Sequence, residues 1–490
     1  MSLTGETEAG RVSDQGMKRH VIRGLLQVGV ATMVIRGGSL IAQFVTGARL
    51  TETDFGLFAV TLFFSTIAVS SMSALRPLLI ERLTRKDSVD ALWRAGVYAM
   101  SAFAALVMVL SGPIAQGLDK PGAQPILLAL APTIPIQFAM LIGAARLAAG
   151  LRFAETSRIF AASATARHAS TIVFALSGFG PYALVLPIYV EIVVEGALLW
   201  KATGRPPALR GDVRGLRTRY GSTLPWLALT AIALAASLSG DYLAIGPFES
   251  AAVVGLYFFA YSLSAALTQP FTMIATNVLV PSFASVKDPD RLRSAYLHAI
   301  SLLLVATGIT FSGVALLGGN VVDLVWGGKW NGAIVAMVLI SAGTPFRVLQ
   351  PTCYSLLQSQ GRWKDHSILS SINAVLAVGG AMLGAIVGGL FQIGLYVGIA
   401  GAIAGTIVAV AAGTKIGIRP TRTLSSLLRG AAPSAVGLAV AYVAMPGYLL
   451  PLGQSIGRAV LFTLVALTLT VALFKSPLLE VLASVRHRES

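Results

Sequence analysis

The chain has 490 residues, of which 55% are hydrophobic and only 12% are charged. Soluble proteins carry about 25% charged residues, and a soluble chain could not bury this much apolar surface, so the composition excludes a soluble enzyme. The single cysteine, Cys353, excludes an intramolecular disulfide framework. With only five histidines, a structural zinc site is not expected. Lys and Arg outnumber Asp and Glu by 37 to 21, a net charge of +16 whose placement relative to a membrane has to be explained.

A helix needs about 20 mostly apolar residues to cross the hydrocarbon core of a bilayer. Fourteen stretches meet this requirement, and their continuous Leu-, Ala-, Val- and Gly-rich runs lack the alternation of a membrane β-barrel. The sequence therefore predicts an all-α polytopic membrane protein with about 14 transmembrane helices. The predicted spans lie near 21–47, 55–80, 91–115, 125–149, 159–179, 181–201, 223–246, 255–281, 295–319, 332–357, 367–390, 394–415, 427–446 and 452–475.

The basic residues alternate between the two sides of these spans. With the N-terminus in the cytoplasm, the inner segments hold 26 Lys and Arg residues, whereas the outer loops hold only Arg49, Lys120 and Lys329. This is the positive-inside distribution, so both termini are predicted to be cytoplasmic. The positive charge is then topological and does not indicate nucleic-acid binding. Trp326 and Trp330 flank Lys329 and indicate an aromatic belt at the outer boundary.

Spans one to six resemble spans seven to twelve. Thr53–Phe58 opens span two as Val254–Phe259 opens span eight, and Ala131–Pro135 in span four matches Ala342–Pro345 in span ten. The alternative is chance similarity between hydrophobic segments, but the matches include loop residues at preserved spacing. Six is an even number, so the two halves are predicted to be parallel, an organisation found in secondary transporters.

This repeat divides the chain into five predicted parts, from a cytoplasmic tail to two appended C-terminal helices. They are the tail over 1–20, an N-lobe of six spans over 21–200, a basic cytoplasmic linker over 201–222, a C-lobe of six spans over 223–416, and spans thirteen and fourteen with a cytoplasmic C-terminal tail over 417–490.

Two arginines lie deep inside predicted spans. An ionisable residue there costs about 2.5–3.5 kcal/mol on insertion scales, so each one is a functional hypothesis. Arg36 lies near the middle of span one, and Arg347 lies well inside span ten beside Pro345. Neither reaches an interface easily, so both predict a polar cavity.

Three acidic residues are also candidates for a site. Glu191 and Glu195 are spaced i, i+4 on one face of span six. They either form a structural network with Arg167 or another buried arginine, or they carry protons or bind a cation. Asp241, late in span seven, is either a structural anchor or a site residue.

Two absences narrow the class of protein further. The sequence contains no phosphate-binding GxxxxGK[ST] loop, which argues against an ATP-driven pump. None of the predicted outer loops is large enough for a glycosyl-transfer site. The chain is therefore predicted not to be an enzyme.

A series of motifs then follows the order and spacing of a known family. On these motifs the chain resembles the polysaccharide transporter family of the multidrug/oligosaccharidyl-lipid/polysaccharide superfamily, over spans one to twelve. The motifs are Gly47–Leu57, Gly240–Gly246 followed by Val254–Tyr261, Pro281–Ser285 with Asp288–Arg293, Trp326–Trp330, Phe346–Pro351 and Gln360–Arg362.

The resemblance implies a flippase. Members of that family have two six-helix lobes and move polyprenyl-diphosphate-linked oligosaccharides across the bacterial inner membrane by alternating access, for exopolysaccharide, capsule or O-antigen synthesis. The expected partners are the lipid-linked oligosaccharide, membrane lipids, and the polymerase and glycosyltransferases of the same pathway.

The site residues follow from this expectation. The planar guanidinium of arginine donates two hydrogen bonds to phosphate, so Arg36 and Arg347 are the predicted diphosphate ligands, with Arg49 as a receiver at the outer mouth. No cofactor and no metal are expected, apart from coupling to H⁺ or Na⁺. The candidates for that coupling ion are the three acids, Glu191, Glu195 and Asp241.

Two other functions remain open from the sequence. A small-molecule antiporter of the multidrug and toxin extrusion type has the same fold, but for cationic drugs it would need acidic rather than cationic cavity residues. A non-transporting scaffold of a polysaccharide assembly complex is the third class. Deep arginines in both predicted lobes argue against a scaffold.

The charge asymmetry generates a topological prediction. Reporter fusions after residues 88, 212, 289 and 424 should report a cytoplasmic location, and fusions after residues 120, 250 and 328 a periplasmic one. Alkaline phosphatase and green fluorescent protein fusions, read in parallel, measure this. A single reversed loop in the second half would contradict the parallel repeat.

Overall fold

The structure is a computed structural model, and it describes residues 35–86, 88–209, 221, 224–274, 279–447 and 450–489. This part of the chain is helical and contains no strand. Its helices are α1 (35–49), α2 (Glu52–Thr84), α3 (Asp90–Gly117), α4 (Ala123–Leu130), α5 (Thr133–Ala149), α6 (Phe153–Leu176), α7 (Tyr182–Thr203), α8 (Leu224–Ile245), α9 (Ala251–Ala266), α10 (Gln269–Ile274), α11 (Val280–Ser285), α12 (Pro289–Trp326), α13 (Asn331–Arg347), α14 (Leu349–Ser359), α15 (Trp363–Val387), α16 (Leu390–Lys415), α17 (Pro420–Ala444) and α18 (Leu452–Glu489).

Within these residues, 12 helical segments are long and apolar enough to cross a membrane, with α4–α5 and α13–α14 each counting as one. The prediction of an all-α polytopic membrane protein is therefore confirmed. Two of the fourteen predicted spans are not among the 12. Span one (21–47) lies partly outside the described residues. Span eight (255–281) is not one continuous helix, because α9 ends at Ala266 and a turn precedes the short α10. Pro270 explains this break, because it has no amide N–H to donate to the carbonyl of Ala266, four residues earlier, and its ring collides with that turn.

Two spans that the repeat relates are both interrupted. In span four, α4 ends at Leu130 and α5 begins after Pro132; in span ten, α13 ends shortly after Pro345. A proline lacks the amide N–H and collides with the preceding turn, which accounts for breaks at these points. The second break places Arg347 at the C-terminal end of α13, where the helix dipole favours a positive charge.

The chain divides into two compact units. The first unit takes its residues from Met1–Thr51, Ile67–Gln116 and Pro121–Leu224, and the second from Glu52–Thr66, Gly117–Lys120 and Pro225–Ser490. Helix α2 thus contributes its beginning to the second unit and its remainder to the first. The predicted lobes over 21–200 and 223–416 stay predictions. The tail over 1–20 and much of the linker over 201–222 lie outside the described residues.

The first unit is held by contacts between its apolar helices. Buried Trp93 of α3 donates its indole N–H to the carbonyl of Ala139 in α5 at 3.1 Å. Helices α6 and α7 pack along each other, joined by a turn in which Gly178 and Gly180 have φ angles of 77° and 53°. These left-handed conformations favour glycine, so the sequence allows the tight reversal that makes α6 and α7 antiparallel.

In the second unit, glycines bring α2 and α9 into backbone contact. A Cβ atom on Gly56 would overlap the carbonyl of Ala251, and a Cβ on Gly255 would overlap the carbonyl of Glu52. The contact is reciprocal, because Ala251 lies four residues before Gly255 on α9 and Glu52 lies four residues before Gly56 on α2. Gly56 and Gly255 lie in the two motifs, Thr53–Phe58 and Val254–Phe259, that the sequence repeat relates, so these motifs pack against one another.

Close glycine contacts also join α13 and α16, and we call such a line of contacts between two helices a glycine seam. A Cβ atom on Gly398 would overlap the carbonyl of Leu339, and one on Gly405 would overlap the carbonyl of Phe346. Small residues at membrane helix interfaces allow the backbones to approach closely, and dispersion contacts then hold the helices together. This seam fixes the end of α13, which carries Arg347.

The aromatic residues near the outer boundary pack inside the second unit. Trp330 is fully buried and stacks on Phe259 with a centroid separation of 4.0 Å, while Phe55 meets its edge at 5.3 Å. The sequence interpretation of Trp330 as part of an interfacial belt is therefore wrong. The indole acts as a core residue that joins α2, α9 and the loop before α13.

The reciprocal glycine contact generates a stability prediction. Gly56→Ala and Gly255→Ala should each destabilise the protein by about 1–3 kcal/mol, because the added methyl group forces two backbones apart. Thermal unfolding of the detergent-solubilised protein, followed by fluorescence size exclusion, measures the effect. The control is Gly379→Ala in α15, where an added Cβ meets nothing within 4 Å. That change should be neutral or stabilising, since alanine is the better helix former. Equal melting temperatures for all three variants would contradict the close contact.

Candidate functional site

The second unit contains a buried carboxylate, that of Asp241. Asp241 of α8 is only 5% exposed. It accepts a hydrogen bond of 2.6 Å from the hydroxyl of Tyr257 in α9 and one of 3.0 Å from the backbone N–H of Tyr242. A buried charge is tolerated when it is hydrogen-bonded and compensated. The two donors satisfy the first condition.

Arg347 supplies the compensating charge. Its guanidinium donates to the hydroxyl of Tyr261 and lies over that ring, 5.0 Å from the centroid. The Tyr257 and Tyr261 rings lie 6.0 Å apart, and the charges of Asp241 and Arg347 interact. We refer to Asp241, Tyr257, Tyr261 and Arg347 as the Asp241–Arg347 network. It joins two of the predicted site residues through two tyrosines.

Four helices position this network, with α8 carrying Asp241. Tyr257 and Tyr261 are spaced i, i+4 on α9 and therefore project from one face. Arg347 comes from the end of α13, and Gly401 of α16 provides the space for its side chain. A Cβ atom on Gly401 would lie 2.6 Å from Cδ and 2.9 Å from Cγ of Arg347. Any larger residue at position 401 would displace the guanidinium.

The same face of α8 carries further polar contacts. Thr230 bonds to Ser367 at 2.7 Å, and Asn373 of α15 donates to Ser237 at 3.0 Å while accepting from Gln350 at 2.8 Å. Buried amides of this kind need all their partners inside a membrane. The result is a polar row between α8, α14 and α15 that leads away from the Asp241–Arg347 network.

The predicted acids of the first unit are matched by arginines. Glu191 of α7 forms an ion pair with Arg167 of α6, with 2.8 Å between Oε2 and Nη1. The half-buried Glu195, one turn further along α7, interacts electrostatically with Arg76 of α2. The structural alternative thus has a geometric basis for Glu191, in its ion pair with Arg167, and an electrostatic one for Glu195. A role in ion coupling stays a prediction.

Arg36 lies in α1 and is half-buried. Its charge interacts with the ring of His168 in α6, and a Cβ atom on neighbouring Gly38 would lie 3.2 Å from Cδ2 of that ring. Among the residues that the structure describes, Arg36 has no carboxylate within ion-pair distance. Arg49, at the other end of α1, is exposed. Arg36 is therefore the deep cation with uncommitted charge.

Lys120, a predicted outer-loop cation, turns out to be buried. Its ammonium donates to the carbonyls of Leu118 at 3.0 Å, Glu249 at 2.8 Å and Gly246, which ties residues 117–120 to the loop after α8. Burial lowers the pKa of Lys120, and the carboxylates of Asp119 and Glu249 oppose this shift. Glu249 in turn accepts from the backbone N–H of Gly389 at 2.7 Å. This cluster is structural and lies outside the spans.

Sequence reasoning identified Asp241 and Arg347 separately but missed the residues between them. Tyr257 and Tyr261 were hidden in an apolar helix, where aromatic residues ordinarily indicate packing. Their i, i+4 spacing was the available signal. In the described parts of the chain, no group of three or more His, Cys, Asp or Glu residues could hold a metal ion.

The fold and its internal charges define a multi-pass α-helical membrane protein with paired ionisable groups inside its spans. The family model described as polysaccharide biosynthesis protein matches residues 48–335. This is more than half of the chain, and the protein belongs to that family.

Individual proteins are also similar to this chain, in sequence or in fold. The lipopolysaccharide biosynthesis protein WzxC of Escherichia coli (strain K12) is 24% identical over 390 residues, which cover 76% of this chain and 77% of that protein. The solved structure of the lipid II flippase MurJ in an inward closed conformation is similar with a TM-score of 0.71 at 14% identity, covering 92% of this chain and 100% of that one. An inward-facing multidrug resistance MATE family transporter of the MOP superfamily has a TM-score of 0.61 at 13% identity, with coverages of 80% and 98%. These structures share the fold.

The Asp241–Arg347 network generates a prediction for a double-mutant cycle. Arg347→Met should destabilise the protein by about 3–5 kcal/mol, because it leaves a buried carboxylate without its compensating charge. Adding Asp241→Asn should restore a large part of that loss, since neither charge then remains. Thermal unfolding of the four proteins in detergent measures the coupling. Additive effects of the two substitutions would show that the charges do not stabilise one another.

Proposed function

We propose that the protein is a flippase for polyprenyl-diphosphate-linked oligosaccharide units. It would move them from the inner to the outer face of the bacterial inner membrane by alternating access, for exopolysaccharide, capsule or O-antigen synthesis. The observation that carries this proposal is the family match over residues 48–335, combined with a fold similar to a lipid II flippase over 92% of the chain.

The charges inside the spans support an anionic headgroup. A lipid-linked oligosaccharide has a polyprenyl tail that stays in lipid, whereas its diphosphate and glycan need a polar path. Arg36 and Arg347 are each proposed to contact the diphosphate, because guanidinium groups bind phosphate in a bidentate manner. Arg49, exposed at the end of α1, is the proposed receiver at the outer mouth.

The alternative is a small-molecule antiporter of the multidrug and toxin extrusion type, which the fold similarity to a MATE transporter favours. Such a transporter needs acidic groups that are free to bind a cationic drug. Here Glu191 pairs with Arg167 at 2.8 Å, and Asp241 is buried and faces the charge of Arg347. The charge balance of the described spans therefore favours an anionic substrate.

The remaining features of the proposal concern the orientation of the chain, the driving force and the partners. We propose that both termini lie in the cytoplasm, as the distribution of basic residues along the sequence predicts. An inside-negative potential favours outward movement of an anionic headgroup by about 2.3 kcal/mol per charge per 100 mV. Coupling to H⁺ or Na⁺ through Glu191, Glu195 or Asp241 would reset the protein. The polymerase and glycosyltransferases of the same pathway are the proposed partners, and no nucleic acid is involved.

The function is tested by substituting the two deep arginines. Arg36→Ala and Arg347→Lys should each reduce flipping by about tenfold or more, because each removes a charge-assisted or bidentate contact to phosphate. Arg347→Lys is chosen because it keeps the charge that balances Asp241. Flipping of a fluorescent polyprenyl-diphosphate oligosaccharide in reconstituted vesicles measures the rate per folded molecule, under imposed potentials and pH gradients.

The control is Arg85→Ala, which removes an exposed cation paired with Glu81 at 3.0 Å. This variant should flip at the wild-type rate. Wild-type flipping by both arginine variants would refute the diphosphate contacts. If the wild-type protein fails to flip the lipid but exchanges a cationic dye for protons, the antiporter is the correct function. If it does neither while polysaccharide assembly still requires it, the protein is a scaffold.

A further inference from the structure

A cavity of about 320 Å³ lies at one end of the first unit, where α6 begins and α7 ends. We call it the α6–α7 cavity. Its walls come from the start of α6 on one side and the last two turns of α7 on the other. The lining residues are Arg152, Glu155, Arg158, Ile159, Leu198, Lys201 and Ala202.

The charged residues around this cavity fall into two groups. Arg152 is committed to the fold, because it forms an ion pair of 2.5 Å with Glu155 and donates to the carbonyl of Ala202 at 2.9 Å. Arg158 and Lys201 are exposed, and in the described part of the chain neither has a hydrogen-bond or ion-pair partner. With Arg152 and Glu155 balanced, the cavity carries two uncommitted positive charges, one on each helix.

Two neighbouring arginines of the first unit, in contrast, do have hydrogen-bond partners. Arg94 donates to the carbonyl of Ala208 at 3.4 Å, and Arg146 donates to the carbonyls of Thr203 and Arg205 at 3.4 and 3.2 Å. These arginines satisfy the carbonyls at and beyond the end of α7. Such carbonyls are the natural acceptors for cations near a helix C-terminus. Arg158 and Lys201 face the cavity instead.

Between the two cations the walls are apolar. Ile159 is 5% exposed, and Leu198 and Ala202 are half-buried. The helices that form these walls belong to the candidate membrane spans Ala154–Leu176 and Tyr182–Thr203, so the cavity lies where two antiparallel spans reach the membrane surface. The N-terminal end of α6 also points its positive dipole toward this region. A cavity with two cations at its edge and apolar walls beneath them is suited to a ligand that has an anionic headgroup and an apolar chain.

We propose that the α6–α7 cavity binds the phosphate headgroup of an anionic membrane phospholipid. Arg158 and Lys201 contact the phosphate from opposite sides, and one acyl chain lies along Ile159 and Leu198. The lipid source is favoured over free phosphate because the apolar walls would gain nothing from a fully hydrated ion. A lipid ligand also agrees with the predicted cytoplasmic location of the linker over 201–222, because anionic lipids of the cytoplasmic leaflet attract basic residues.

The test measures lipid retention by the purified full-length protein. The protein is reconstituted in nanodiscs of phosphatidylglycerol and phosphatidylcholine with identical chains, then released and examined by native mass spectrometry. Wild-type protein should retain phosphatidylglycerol in preference to phosphatidylcholine. Arg158→Gln/Lys201→Gln should reduce that preference by about tenfold, since each surface cation contributes a modest electrostatic attraction to the anionic headgroup.

The matched control is Lys287→Gln/Arg291→Gln, which removes the same charge from exposed positions of the second unit. Retention should stay at the wild-type level in this control. An equal loss in both double variants would overturn the proposal, because net charge alone would then explain binding. No loss in Arg158→Gln/Lys201→Gln would also overturn it.

A third variant separates the lipid from free phosphate. Leu198→Ser should weaken phosphatidylglycerol retention while leaving both cations in place, because it removes an apolar wall. Excess inorganic phosphate should not displace the bound lipid from wild-type protein. Displacement by inorganic phosphate, together with unchanged retention in Leu198→Ser, would assign the cavity to a free anion and refute the lipid. None of these measurements depends on flipping, so their failure would leave the proposed function untouched.

Discussion

Charge compensation inside an apolar medium is the constraint on which this structure depends. A charged group in the bilayer is expensive, and the cost falls only when an opposite charge and hydrogen bonds accompany it. The second unit meets this condition with Asp241, which accepts from the hydroxyl of Tyr257, and Arg347, which donates to the hydroxyl of Tyr261. The first unit meets it with Glu191 and Arg167. Each compensated group joins different helices, so the same interactions that lower the cost of burial also fix which helices are neighbours.

Close backbone approach is what brings these partners within reach. Arg347 finds room because residue 401 is glycine, and the end of α13 is held by the glycine seam with α16. Tyr257 reaches Asp241 from α9, a helix that itself packs on α2 through Gly255. In a membrane the hydrophobic effect does not drive helices together, so dispersion across such small-residue seams does. The polar network therefore depends on the glycine seams, because these bring its helices close enough for the side chains to meet.

The features that could be predicted from the sequence depend on composition or on single charged residues within apolar runs. Long apolar runs are governed by the thickness of the bilayer, so the membrane class and most spans could be predicted. Asp241 and Arg347 were recognisable because charge is rare in such runs. Their meeting was not predictable, since it depends on how α8, α9 and α13 pack. Lys120 stays a predicted outer-loop cation, but its burial was not predictable, because two of its three carbonyl acceptors are 126 and 129 positions away in the chain. Span eight was overestimated because Pro270 interrupts an otherwise apolar run.

The two deep arginines differ in how much of their charge remains for a ligand. Arg347 donates one of its five N–H groups to Tyr261, and its positive charge interacts with the carboxylate of Asp241. A phosphate arriving there would compete with an existing network, and binding would alter the balance that stabilises α8, α9 and α13. Arg36 faces His168 and, within the described residues, has no carboxylate to displace. In the proposed flippase, Arg36 is therefore the stronger electrostatic contact for the diphosphate. Contact at Arg347 would instead couple the presence of substrate to the packing of the second unit.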